Sequence, residues 1–235
     1  MNNMYKIVKY KETDLMSDLI CENYPMLLVL SRFGIALGFG DKSIEEVCTE
    51  TGVDINTFLA VVNLLIDEER DAITINDRGL SITSLLLYLR KSHLYFCDFR
   101  LPSIRRKLIE AIDCGNNDIA LVIIRYYDEY VAEVRKHMMY EETTVFPYVE
   151  KVLDGDTSLQ YNIKKFSSQH DKVDDKLFEL KNIIIKYYPA QSSNELNSVL
   201  FDIFSCAQDL ASHNDIENCL LVPAIKNIEL KQNKL

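Results

Sequence analysis

The chain has 235 residues, enough for one large domain or two small ones, and its 48% hydrophobic content can supply a sizeable core. With only 7 Gly and 5 Pro it is neither collagen-like nor low-complexity. A formal net charge of −10 argues against nucleic acid and anionic membrane surfaces as partners, and apolar runs such as Met26 to Leu30 and Leu85 to Leu89 fall far short of the roughly 20 residues that span a bilayer.

The opening MNNMYKIVKYKETD contains no apolar stretch of the kind found in secretory signals, so the expected location is the cytoplasm. Six cysteines lie far apart, with no CxxC pair, and are expected to be reduced and mostly buried. From about residue 14 to 68, apolar positions recur at helical spacing, broken at Phe39-Gly40-Asp41-Lys42 and Thr51-Gly52-Val53-Asp54. Three short helices fit. Ser43 with Glu46 forms a capping-box pattern, and Asp54 is a candidate N-cap for the helix that follows. Residues 72–76 (AITIN) alternate weakly, and the turn Asp77-Arg78-Gly79 after them places a boundary between a small helical N-terminal domain, 1–78, and a second domain, 79–235.

In the second domain, long helical-period stretches cover 81–113, 118–153, 160–187 and 195–229. Only brief turn-rich breaks at 113–117, 154–156 and 189–193 separate them, and such short loops make consecutive helices antiparallel neighbours. The expected fold is all-α: an up-down four-helix bundle behind a small helical domain.

The chain's four histidines, His93, His137, His170 and His213, fall one per long helix. His137 precedes Glu141 by four residues, and His213 precedes Glu217 by four, so each imidazole shares a helix face with a carboxylate one turn away. Phe146-Pro147 and Val222-Pro223 follow at matching offsets. The His93 to His137 interval is 44 residues and the His170 to His213 interval is 43, which makes the bundle two similar hairpins. A lone inward histidine is usually a hydrogen-bonded core residue, but four placed in this pattern are not explained that way. Together they offer four imidazoles and two carboxylates, too many for one structural zinc, which is nearly always four-coordinate. Two ions sharing bridging carboxylates fit better. Ligand type alone leaves iron, manganese and zinc open. The set differs from the Glu-x-x-His pattern of ferritin-like sites, and the chain has no His-Glu-x-x-His string. Met138, Met139, Tyr140, Tyr126 and Tyr127 are read as packing residues around this group.

The strings His137-x-x-x-Glu141-Glu142-x-x-x-Phe146-Pro147, Gln169-His170-Asp171 and His213-x-x-x-Glu217-Asn218-x-x-x-Val222-Pro223, with His93 to Pro102 upstream, resemble a hemerythrin-like domain over about residues 80–230. The N-terminal strings Tyr24-Pro25, Arg32-Phe33-Gly34-Ile35, Ser43-Ile44-Glu45-Glu46 and Gly52-Val53-Asp54 resemble the small domain that precedes such bundles in di-iron proteins that repair iron–sulfur clusters. That family usually has a Cys-Cys pair just after Phe-Gly-Ile, whereas this chain continues Ala36-Leu37-Gly38. The resemblance implies two non-haem iron ions with an oxo or hydroxo bridge, held by His93, His137, His170 and His213 as terminal ligands and by Glu141 and Glu217 as bridges. It also implies repair of, or iron supply to, oxidatively or nitrosatively damaged iron–sulfur proteins, and oxygen and nitric oxide as small ligands.

The sequence contains no nucleophile–base pair, phosphate loop or dinucleotide fingerprint, so no catalytic residue is assigned and a metal-binding repair or sensing protein is favoured over a turnover enzyme. Cys97 and Cys219 lie near the histidines without an evident activating group. Two other readings stand beside repair. Ser43 to Thr51, Asp54 to Leu65 and Ile73 to Ser84 could form a winged helix-turn-helix, giving a redox-sensing transcription factor, but residues 1–80 carry 7 Lys+Arg against 14 Asp+Glu, where a DNA-binding module should be basic. The other is reversible oxygen binding.

Overall fold

In the computed structural model the residues described are 10–67, 79–112, 118–156, 163, 166, 171–188 and 194–232. They form eleven α-helices with three π-helical turns and, among the described residues, no strand beyond an isolated antiparallel bridge between Leu15 and Ser43. The all-α expectation holds. Residues 72–76 and the turn residues Asp77 and Arg78 lie outside the described residues. The chain divides into two compact units, one of residues 1–92 with 215–224 and the other of 93–214 with 225–235.

The first unit contains α1 (Met16–Glu22), α2 (Met26–Phe33), α3 (Ile44–Thr51), α4 (Ile55–Ile66) and most of α5 (Ile82–Leu94). The sequence reading gave three helices before residue 68, and the structure has four. The added break falls at Asn23-Tyr24-Pro25, where the proline ring disfavours a helical conformation at the residue before it. Both predicted caps form. Ser43 Oγ accepts from the Glu46 N–H at 3.2 Å while Glu46 Oε2 accepts from the Ser43 N–H at 2.8 Å, and Asp54 Oδ1 accepts from the Thr57 N–H at 2.8 Å. These bonds satisfy amide donors that the first helical turn leaves without partners. At the far end of α3, Gly52 takes φ +69°, which lets the Val53 N–H reach the Cys48 carbonyl at 2.9 Å and close the helix. Apolar positions at helical spacing on these helices, among them Leu19, Leu30, Val47, Phe58 and Val62, are buried. Phe33 packs edge-on to Phe58 with ring centres 5.4 Å apart and lies 4.9 Å from Tyr88 of α5, which ties α2, α4 and α5 together.

The second unit carries the end of α5, a π turn at Tyr95–Arg100, α6 (Leu101–Ala111), α7 (Asp118–Tyr140), a π turn at Glu141–Val145, α8 (Phe146–Leu153), α9 (Asp171–Tyr187), most of α10 (Asn194–Ile216) and most of α11 (Val222–Gln232). A third π turn, Glu217–Leu221, joins α10 to α11. The four long stretches read from the periodicity coincide with these helices to within a few residues wherever the ends are described. α7 packs on α6 and on α9. Their shared core includes Ile104, Leu108, Ile123, Tyr130, Val134, Leu180 and Ile184, and α10 adds Val199 and Ile203 to it. Tyr127 is buried and donates its hydroxyl to the Leu101 carbonyl at 2.8 Å, which makes its burial affordable. Arg100 reaches Asp202 of α10 at 3.0 Å, and Lys107 shares that carboxylate at 2.7 Å.

Two expectations are corrected. Met139 is 66% exposed, because it follows the buried Met138 by one residue and so turns about 100° away from the core. The cysteines are less buried than expected. Cys48 and Cys206 are buried, Cys97 and Cys219 half-buried, and Cys21 exposed on the outer side of α1, while Cys114 lies outside the described residues.

Candidate metal centre

The π turns begin where the chemistry is. A proline inside an α-helix lacks the N–H for the bond to residue i−4, and its ring collides with that carbonyl. Here Pro102, Pro147 and Pro223 each sit at the second residue after a π turn. In each case the residue before the proline makes an i to i−5 bond instead: Leu101 N–H to Phe96 O, Phe146 N–H to Glu141 O and Val222 N–H to Glu217 O. The wider turn accommodates the proline without ending the helix. Two of these turns start at Glu141 and Glu217 themselves, so the two helices carrying His-x-x-x-Glu present the carboxylate and change register at the same residue.

His93, Glu141, His213 and Glu217 are buried, and one ligand atom from each lies within 4.8 Å of those of the others. Glu141 is at the centre, 0% exposed. Its Oε2 lies 2.8 Å from His93 Nε2 and 3.9 Å from His213 Nε2, and its Oε1 lies 2.8 Å from His137 Nε2. His137 thus joins the group through the other oxygen of the same carboxylate. Of the six residues singled out from the sequence, the structure brings five into this neighbourhood, and His170 lies outside the described residues.

Aromatic rings wall the group. Phe146 stacks on His93 with ring centres 5.4 Å apart, Phe96 meets His213 edge-on at 6.1 Å, and Phe166 stacks on His137 at 6.4 Å. In this setting burial alone would raise Glu141, but hydrogen bonds and charge from His137, His213 and His93 outweigh it and hold the carboxyl well below the usual carboxylate range. Burial would lower His93, yet bonding to Glu141 and Glu142 raises it. His93 Nε2 and both Glu141 oxygens are buried and face one another across short contacts. Buried polar atoms converging in this way, with nitrogen and oxygen donors, form a donor set that suits zinc, iron or manganese.

Sequence reading missed two features. Glu142 was quoted within the motif but given no role, and its Oε1 lies 2.8 Å from His93 Nδ1. The aromatic wall gives only the ordinary signal of apolar residues at core spacing. Cys97, expected to be a poor nucleophile, contacts Met138 Sδ at 3.5 Å, and burial pushes its thiol up, away from the reactive thiolate.

Residues 88–225 match the Hemerythrin HHE cation binding domain, a span of more than half the chain that contains all four histidines, Glu141 and Glu217. A search of curated proteins gives no match for the chain. Among the described residues no helix is long and apolar enough to cross a membrane. With the helical bundle and the buried His/Glu group able to hold a metal, the match over 88–225 places the chain in the hemerythrin HHE cation-binding family.

Proposed function

We propose that the buried group holds two iron ions bridged by Glu141 and Glu217, and that this iron serves the repair of, or iron supply to, damaged iron–sulfur clusters. The observation that carries the metal reading is the placement of Glu141, whose two oxygens face different imidazoles: Oε2 faces His93 and His213, and Oε1 faces His137. The residues that would hold the ions are His93, His137, His213, Glu141 and Glu217, and the sequence pattern adds His170 to them. Iron bound there supplies one-electron exchange between ferrous and ferric forms and an ion that can be given up. The protein's part is to hold neutral imidazoles on fixed helices, keep bulk water away with Phe96, Phe146 and Phe166, and offset the ions' charge with buried carboxylates. The repair role draws on the resemblance of the N-terminal unit to the small domain of repair proteins. Without the cysteine pair after Ile35, repair should be slow or should need an external reductant.

The aromatic wall favours a second reading, because an apolar lining suits a small neutral gas such as oxygen or nitric oxide. One experiment separates the two. The iron-loaded chain is incubated with a cluster-damaged iron–sulfur enzyme under several reductants. Activity should return with the loaded chain and not with the metal-free one. No recovery under any reductant, together with reversible oxygen uptake by the ferrous form, would put oxygen binding or sensing in place of repair.

A further inference from the structure

His93 lies between two carboxylates, with Nε2 facing Glu141 at 2.8 Å and Nδ1 facing Glu142 at 2.8 Å. These are consecutive residues at the start of the π turn Glu141–Val145. On a helix, neighbours diverge by about 100°, and here Glu141 is fully buried while the Glu142 side chain is 36% exposed. The His93 ring spans that difference, with Phe146 stacked against its face at an interplanar angle of 7°. An Nδ1–H donated to Glu142 leaves the lone pair on Nε2, the nitrogen that faces the buried group, and a carboxylate on the outer nitrogen makes an imidazole a stronger ligand.

The internal repeat does not carry the same residue in both halves. Counting from His137 and from His213, the residue one past the glutamate is Glu142 in the first hairpin and Asn218 in the second. A charged acceptor in one half corresponds to a neutral amide in the other.

Resting on the di-iron reading, we propose that Glu142 is a positioning residue that fixes the His93 ring and makes the two ion positions unequal, the one served by His93 being held more tightly. It touches neither ion and acts only through the imidazole.

The test compares wild type with Glu142→Gln, Glu142→Ala and Glu142→Asp in the full chain. Each is titrated with ferrous iron alone under anaerobic conditions, and Mössbauer spectra are taken of the loaded forms. In wild type the two ions should bind with distinguishable affinities and give two distinct iron signals. In Glu142→Ala one ion should weaken about 10–100-fold with a change in one signal only. Glu142→Gln should fall between, since it keeps an acceptor and loses the charge, and Glu142→Asp should recover part of the affinity. Two ions bound with wild-type affinity and spectra in Glu142→Ala would overturn the proposal, as would equal weakening of both ions, the mark of general damage. A wild type that binds no iron would instead overturn the di-iron reading, and this inference with it.

Discussion

Replacing Glu141 with Gln keeps the side chain's shape and removes the charge at the point where three imidazoles converge. In the metal-free chain its effect should depend on pH in a specific direction. The Glu141 carboxyl is held below its ordinary range, so it adds stability above the unfolded value of about 4.3 and loses it as pH falls through the folded one. His93 is raised, so its contribution is complete below the unfolded value of about 6.5 and is lost as pH rises through the folded one. The pair therefore stabilises the metal-free protein most between about pH 4.3 and 6.5. Removing one member of a buried pair costs about 3–5 kcal/mol. For a domain of this size that is roughly 6–20 °C in melting temperature, and Glu141→Gln should show it near pH 6.

As pH rises and His93 loses its proton, Glu141 becomes a buried anion without the positive charge of that partner. Its desolvation then counts against the wild type, and the gap to Glu141→Gln should shrink or change sign. Iron reverses the trend, because ligation requires deprotonated imidazoles. The loaded wild type should gain stability with pH while Glu141→Gln gains less. Thermal melts followed by circular dichroism from pH 5 to 9, with and without iron, measure all four curves. If the two metal-free curves run parallel across that range, the coupling between Glu141 and the histidines is refuted.

Glu217→Ala should lose iron by elemental analysis, whereas Glu150→Ala, on an exposed position of α8, should keep wild-type content; equal content in both variants would remove Glu217 from the site. Pro147→Ala restores an N–H that can bond the Thr143 carbonyl and lets the π turn close to an α turn. It should lower iron content while leaving total helix content unchanged, measured by elemental analysis beside circular dichroism.

The sequence made the helices legible because its apolar positions keep a 3.6-residue period and its breaks are written in Gly, Pro, Asp and Asn. It also made His137, Glu141, His213 and Glu217 legible, because a His-x-x-x-Glu offset means one face of one helix whatever surrounds it. The break at Asn23 was harder to see, since α1 and α2 are short and Pro25 could equally open a helix or sit in a loop. The role of Glu142 could not be read at all. On an ideal helix it points away from Glu141, and only the meeting of α5 with the π turn puts His93 Nδ1 against it.

The π turns could not be read from periodicity either, although the prolines announced them. From Glu141 to Val149 is eight residues, as it is from His93 to Leu101 and from Glu217 to Ile225, and all six residues are buried. At about 100° per residue, eight positions of unbroken α-helix would carry Val149 roughly 80° round from Glu141. A π turn absorbs one residue and brings the two back to within roughly 20° of one face. The widened turn therefore lets the helix continue past the proline, and it keeps the core residues of α6, α8 and α11 in line with the polar group that precedes each of them. A helix without the insertion would satisfy its backbone and still misplace either the carboxylate or the core beyond it. This is why the His-to-Pro spacing recurs along with the His-to-Glu spacing: both set where Glu141 and Glu217 point.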